Sequence, residues 1–288
     1  MYRALNSKEL KQEISRYIST GEYDPAGTVQ AAGSVIEGLR AYSDCLRRAL
    51  VDEVRRRERG CREKTLPGGL DPITFSRRKL APIANGLFPA TEREKVMGML
   101  ERSVIFLTKE TVHQCLNEVA FLSTAWKLAD IYLGGLEARC LSGEEESVVG
   151  MSEGTNCYVS MAYFEDKSRF SDYIVHEAAH IFHNTKRKVI GLPFTRYREW
   201  LLDIAFSMRE TFAYACEVYS CIVDRSKGTT QPRQLLAEYL ECPMPVDDRV
   251  DHEELLDILA EAVAARNGWK RILRRCSNAR RPGGHRRL

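Results

Sequence analysis

His176, Glu177, Ala178, Ala179 and His180 place two histidines four positions apart with a glutamate after the first, flanked by Ile174, Val175, Ile181 and Phe182. Residues at i and i+4 of a helix share one face about one turn apart. Both imidazoles can therefore reach a single Zn²⁺ through bonds of about 2.0–2.1 Å, with Glu177 projecting beside them. A catalytic zinc takes three protein ligands and leaves a fourth place for water, so a further ligand must come from elsewhere. Downstream acids offer it: Glu199 with Asp203, and Glu210 at the head of Glu-Thr-Phe-Ala-Tyr-Ala-Cys-Glu. The chemistry such a set can perform is hydrolysis. The metal brings the pKa of water to about 7 and polarises a carbonyl, while Glu177 takes a proton and returns it to the leaving group. Tyr214, Tyr219 and His183 are the available donors for a developing oxyanion.

The continuation of the motif found in metzincins needs Gly at 183 and His at 186, where His183 and Lys186 stand. Over about residues 109–224 the chain resembles the zincin metallopeptidases, and within them the gluzincins, whose third ligand is a glutamate on a helix after the HExxH helix. The Glu-x-Phe-Ala pattern of Glu210, Phe212 and Ala213 is similar to the glutamate helix of aminopeptidase-type and lethal-factor-type gluzincins. Glu199 matches only the spacing common in aminopeptidases; with Asp203 it resembles the thermolysin-type Glu-x-x-x-Asp arrangement, in which the aspartate orients a ligand. The resemblance implies a zinc metallopeptidase with Zn²⁺ held by His176, His180 and Glu210, Glu199 being the alternative third ligand. Glu177 is then the catalytic residue, and Tyr214 and His183 are left to serve the oxyanion or support a ligand. It also implies a backing helix over 108–133, an edge strand over 156–164 that could pair with an extended peptide, and an active-site helix over 173–188.

The elements that must position these residues can be read in turn. Asn6 with Glu9 forms a capping box before Leu10, Ile14, Tyr17 and Ile18. Asp24-Pro25 predicts the start of a second helix, whose stripe of Val35, Leu39, Tyr42, Leu46 and Leu50 runs on to the charged residues 55–59 and Gly60. The prolines and glycines at 67, 68, 69, 72, 82, 86 and 89 predict an irregular connection. Thr91 with Glu94 caps a helix to about Glu101, and Thr108 to Leu133 reads as one long apolar helix. A β-rich run follows a turn-like Ser-Glu-Gly-Thr, giving a strand over 156–164. Ser171 or Asp172 caps a helix over 173–188, residues 195–224 support one long helix or two, and two more helices follow over 231–240 and 251–266. The expected fold is mainly helical α+β: an N-terminal helical region (1–65), an irregular connection (66–90), a zincin-like core (91–230), C-terminal helices (231–269) and a basic tail (270–288).

Composition sets the bounds. The 288 residues, 44% hydrophobic and 29% charged, suffice for a core without disulfide staples and exclude wholesale disorder. No stretch approaches the roughly 18 apolar residues of a membrane span. Nine cysteines without a Cys-x-x-Cys pair, and a charged N-terminus where a signal peptide would be apolar, point to a reducing cytoplasm. Non-classical export as an effector is the alternative. Net charge is +3, yet residues 270–288 hold eight Lys or Arg and no acid, which leaves a mildly acidic body of 35 basic and 40 acidic residues. The expected partner is a peptide or protein substrate met by a monomer, with no membrane contact. The rival reading is a nucleic-acid-binding or regulatory protein with a structural or degenerate zinc site. Its basic tail would act by counterion release, although beyond Trp269 it has no aromatic residue for stacking.

Overall fold

The computed structural model describes residues 3–29, 34–143, 149–165, 168–226 and 231–278. The described residues are mainly helical, with eleven α-helices and little sheet. Packing divides the chain into two compact units, Met1–Leu70 with Ile105–Met151 and Tyr158–Asp166, and Asp71–Val104 with Ser152–Cys157 and Lys167–Leu288. Among the described residues no helix is long and apolar enough to cross a membrane.

The first unit opens with β1 (Arg3–Leu5), α1 (Ser7–Thr20), β2 (Gly27–Val29) and α2 (Val35–Arg57), and β1 pairs in parallel with β2. The Asn6–Glu9 capping box forms as expected. The second helix starts at a different box, Ser34 with Glu37, because Asp24 spends its carboxylate on the N–H of Ala26 in a turn before β2. Tyr17, Leu46, Leu50 and Val54 pack in a core with Val112, Leu116, Ala125 and Leu128. The predicted single helix over 108–133 is two. Arg47 donates to the carbonyls of Leu116 and Val119, at 2.5 and 2.9 Å, and so takes the place of the next turn at the chain's break.

Chain order continues through the second unit with α3 (Pro72–Leu87) and α4 (Ala90–Ser103). A strand, β3 (Val104–Leu107), leads to the two helices of the break, α5 (Lys109–Glu118) and α6 (Leu122–Gly135). Most of the stretch predicted to be irregular is thus helix. Pro72 sits in the first turn, where no N–H is needed, and Asp71 caps Thr74 at 2.8 Å. Gly86 is a packing notch, since a Cβ there would stand 2.1 Å from Cδ1 of Trp269. In α4 the Thr91–Glu94 box is absent; Pro89 occupies the N-cap position, and Glu92 turns inward.

The small sheet is completed by β4 (Gly150–Glu153) and β5 (Asn156–Ser160), in the order β3-β5-β4. The strand predicted over 156–164 ends at Ser160 and continues as a 3₁₀ turn, Met161–Phe164. It is also the middle strand and not the edge. The turn at Gly154, with φ of 60°, brings β4 back along it while β3 takes its other side, so its backbone has no free edge for a peptide.

The remaining helices of the second unit are α7 (Tyr173–Asn184), α8 (Arg209–Arg225), α9 (Gln231–Leu240), α10 (His252–Ala264) and α11 (Gly268–Cys276). α8 is the hub, packing on α7, α10 and α11. α7 ends four residues before the expected 188, and residues 195–205 are not helical. Leu201 and Leu202 donate instead to the carbonyls of Thr185 and Phe182, each at 2.9 Å, and so satisfy the end of α7. The fully buried Arg187 holds this segment through Pro193 O (2.7 Å) and Glu92 (2.6 and 3.2 Å). The basic stretch from Lys270 begins as helix α11, with Ile272 and Cys276 buried and Arg275 paired to Glu254 and Glu261; residues 279–288 lie outside the described residues.

Glu92 also meets Arg198, whose side chain is 54% exposed. Glu92→Ala strands the Arg187 charge in the interior and is expected to cost about 3–5 kcal/mol. Arg198→Ala is expected to cost under about 1 kcal/mol. Urea unfolding of the two variants checks the contrast.

Candidate metal centre

α7 and α8 carry the centre, and both lie within the second unit. The face of α7 that includes Ile174, Val175, Ala178, Ala179, Ile181 and Phe182 is buried, which fixes the rotation of the helix and brings His176 and His180 to the side facing α8. α8 is buried from Thr211 to Phe212 and Ala213, and again from Ala215 to Ile222, and its first turn presents Glu210.

Nε2 of His176 and Nε2 of His180 stand 3.2 Å apart. Oε2 of Glu210 is 3.3 Å from His180 Nε2 and 3.9 Å from His176 Nε2. Ligands about 2.0–2.1 Å from a tetrahedral ion are separated by about 3.3 Å, so two edges of the triangle already match and the third is slightly wide. Among the described residues this is the one group of three His, Cys, Asp or Glu side chains whose ligand atoms converge. Glu199 is elsewhere, its carboxylate 2.7 Å from Lys186 Nζ on the irregular segment, and Asp203 accepts from Asn278 at 2.8 Å. Tyr219 packs edge-on against Trp269 at 4.9 Å between ring centres.

The hydrogen bonds behind the histidines decide which way their lone pairs face. Nδ1 of His176 is 3.0 Å from Glu217 Oε2, and a carboxylate accepts only, so Nδ1 carries the proton and Nε2 is an acceptor. Nδ1 of His180 is 3.0 Å from His183 Nε2, while His183 Nδ1 is 3.1 Å from Asn184 Oδ1. That chain is consistent when His183 donates to Asn184 and accepts from His180, which again leaves His180 Nε2 as an acceptor. With those tautomers three lone pairs converge, an arrangement that one shared cation satisfies. The donor set of two imidazoles and one carboxylate suits zinc.

Electrostatics agree. Burial opposes a charge on His176, but the hydrogen bond and charge of Glu217, with Glu177 and Glu210, outweigh it and raise its pKa. Burial likewise opposes charge on Glu210, yet His180, Arg249 and His176 hold its carboxyl below the usual range. For His183, burial first and then the charges of His180 and Arg209 bring the pKa down to about 3, so it is neutral. The pocket favours positive charge where the three ligand atoms meet.

Glu217 is the residue that sequence reasoning missed. Besides His176, its Oε1 accepts from the N–H of Asp172 (2.7 Å) and from Ser171 Oγ (3.0 Å). It therefore holds both residues expected to cap α7, while the Asp172 side chain makes no cap bond and its carboxylate is 2.7 Å from Lys79. The available signal was its place seven residues after Glu210, two helical turns along one face. Glu177 is buried, and its carboxylate has no hydrogen-bond partner among the described residues. Tyr214 packs its ring 4.6 Å from that of His176. Burial, and then the charges of Glu217, Asp247, Tyr173 and Glu210, raise its phenol pKa, so the hydroxyl keeps its proton.

Zinc at a concentration a hundred times its dissociation constant is expected to stabilise the native chain by about 2.7 kcal/mol. His176→Ala and His180→Ala are expected to remove that gain, and thermal unfolding with and without zinc measures it. No protein-family model, no curated protein and no solved structure matches this chain.

Proposed function

We propose that this chain is a zinc-dependent metallopeptidase of the zincin type, gluzincin-like, with His176, His180 and Glu210 as ligands and Glu177 as the general base and acid. The observation that carries the reading is the convergence of the three ligand atoms beside a buried carboxylate with no bond of its own. A bound zinc would supply Lewis acidity toward a peptide carbonyl and lower the pKa of water. The chain's own groups do the rest.

Glu177 has an unengaged carboxylate, so it can accept the proton of the attacking water on one oxygen and hold it close to the reacting atoms. It then delivers that proton to the nitrogen of the leaving amine. Glu217 and His183 hold the two imidazoles in the tautomer that points Nε2 into the centre. Of the two proposed oxyanion donors, His183 has both ring nitrogens committed and acts through His180. Tyr214 has a protonated hydroxyl without a partner among the described residues, and supplies a hydrogen bond to the oxygen that gains charge. The substrate is a peptide or protein whose scissile bond lies over the α7–α8 face.

Digestion of a peptide library tests the reading. The zinc-loaded parent should cleave, and Glu177→Gln should retain one zinc per chain by elemental analysis while kcat/KM falls about 10²–10⁴-fold. A zinc-loaded parent that cleaves nothing in the library, or a Glu177→Gln variant as active as the parent, overturns the proposal. Tyr214→Phe is expected to lower kcat about 10²–10³-fold with little change in KM.

A further inference from the structure

The loop between α9 and α10 places a cation on one of the three ligand residues. Nη1 of Arg249 is 2.7 Å from Oε1 of Glu210, the oxygen that does not face the histidines. The guanidinium is itself gripped from behind: Nη2 is 2.7 Å from Asp247 Oδ2 and Nε is 2.9 Å from Asp247 Oδ1. Asp247 Oδ1 also accepts from the N–H of Arg249 at 2.9 Å, and Val250 N–H donates to Asp247 O at 3.0 Å. The loop is anchored where it enters α10, because Asp251 caps that helix and His252 Nε2 is 2.9 Å from Pro245 O. Asp247 is nearly buried, whereas the Arg249 side chain is 68% exposed. A long exposed side chain held by three polar contacts is unusual, since solvent offers an arginine many other arrangements at little cost.

The arrangement answers a problem of coordination. A glutamate can give a metal one oxygen or both. With two imidazoles and one oxygen the count is three and a water completes four; the second oxygen beside that water raises the count to five. On the reading that this centre holds zinc, we infer that Arg249, oriented by Asp247, is a positioning residue that occupies Oε1 of Glu210 and so limits the carboxylate to one-oxygen coordination. The planar guanidinium fork is what makes this possible: two of its nitrogens lock onto Asp247 while the third is aimed at Glu210. A lysine would bring the same charge without the direction.

Two measurements that need no substrate test this. Zinc affinity by competition with a chromophoric chelator is expected to fall about 10–100-fold in Arg249→Ala, the range for residues that support a metal ligand. Arg249→Lys should recover only part of it. Asp247→Asn should weaken binding in the parent but add nothing to Arg249→Ala, because Asp247 acts through Arg249. Visible absorption of the cobalt-substituted parent should show the intense bands of a four-coordinate ion. In Arg249→Ala these should weaken toward a five-coordinate spectrum, while far-UV circular dichroism stays that of the parent. An Arg249→Ala variant with the parent's zinc affinity and cobalt spectrum overturns the inference and leaves the centre standing. A parent that takes up no zinc overturns both.

Discussion

Glu217 is a carboxylate inside the second unit that receives hydrogen bonds from three groups of one neighbouring segment, Ser171 Oγ, Asp172 N–H and His176 Nδ1. A carboxylate taken out of water without such partners would cost several kcal/mol, so the three donors are a condition of the fold. Because they sit on the entry to α7 and its first turn, the same group sets where α7 begins, how it is turned against α8, and which nitrogen of His176 faces Glu210. Capping, helix packing and ligand orientation are settled by one side chain.

The two imidazoles are supported unequally. Behind His176 stands an anion; behind His180 stands a neutral ring that hands the bond on to Asn184. The anion makes its imidazole the stronger electron donor, while the neutral relay fixes direction with little added charge. The proposed centre thus gathers negative charge on the Glu217 side and meets it on the Glu210 side with Arg249, so its field is graded across the ion.

What the sequence disclosed depended on how far apart the interacting residues lie. The pair His176 and His180, with Glu177, is a matter of one helical turn, and short-range periodicity reveals it; the Asn6–Glu9 cap was legible for the same reason. Glu210 needed a second helix and was reached through a motif. Glu217 was not reached at all, because its meaning lies 41 residues away at His176. Long-range contacts also explain the other differences. Arg47 divides the apolar run over 108–133, the Gly86 notch serves Trp269, and the buried Arg187 with Glu92 draws residues 195–205 out of the helix that their composition suggests. A proline or glycine read in isolation signals a break; read against its neighbour it is a fitting surface.

The Gly86 notch has a bearing on how the molecule comes into being. Its occupant, Trp269, emerges from the ribosome 183 residues later, and the stretch between them includes the whole of α7 and α8. Contacts so remote in sequence form late, since a long loop must close before they return anything. Until α11 is made, the Gly86 notch of α3 is unfilled and α8 lacks one of the helices packed on it. A nascent chain therefore carries His176 and His180, and then the whole of α8 with Glu210 and Glu217, for some time before the helix that completes their packing is made.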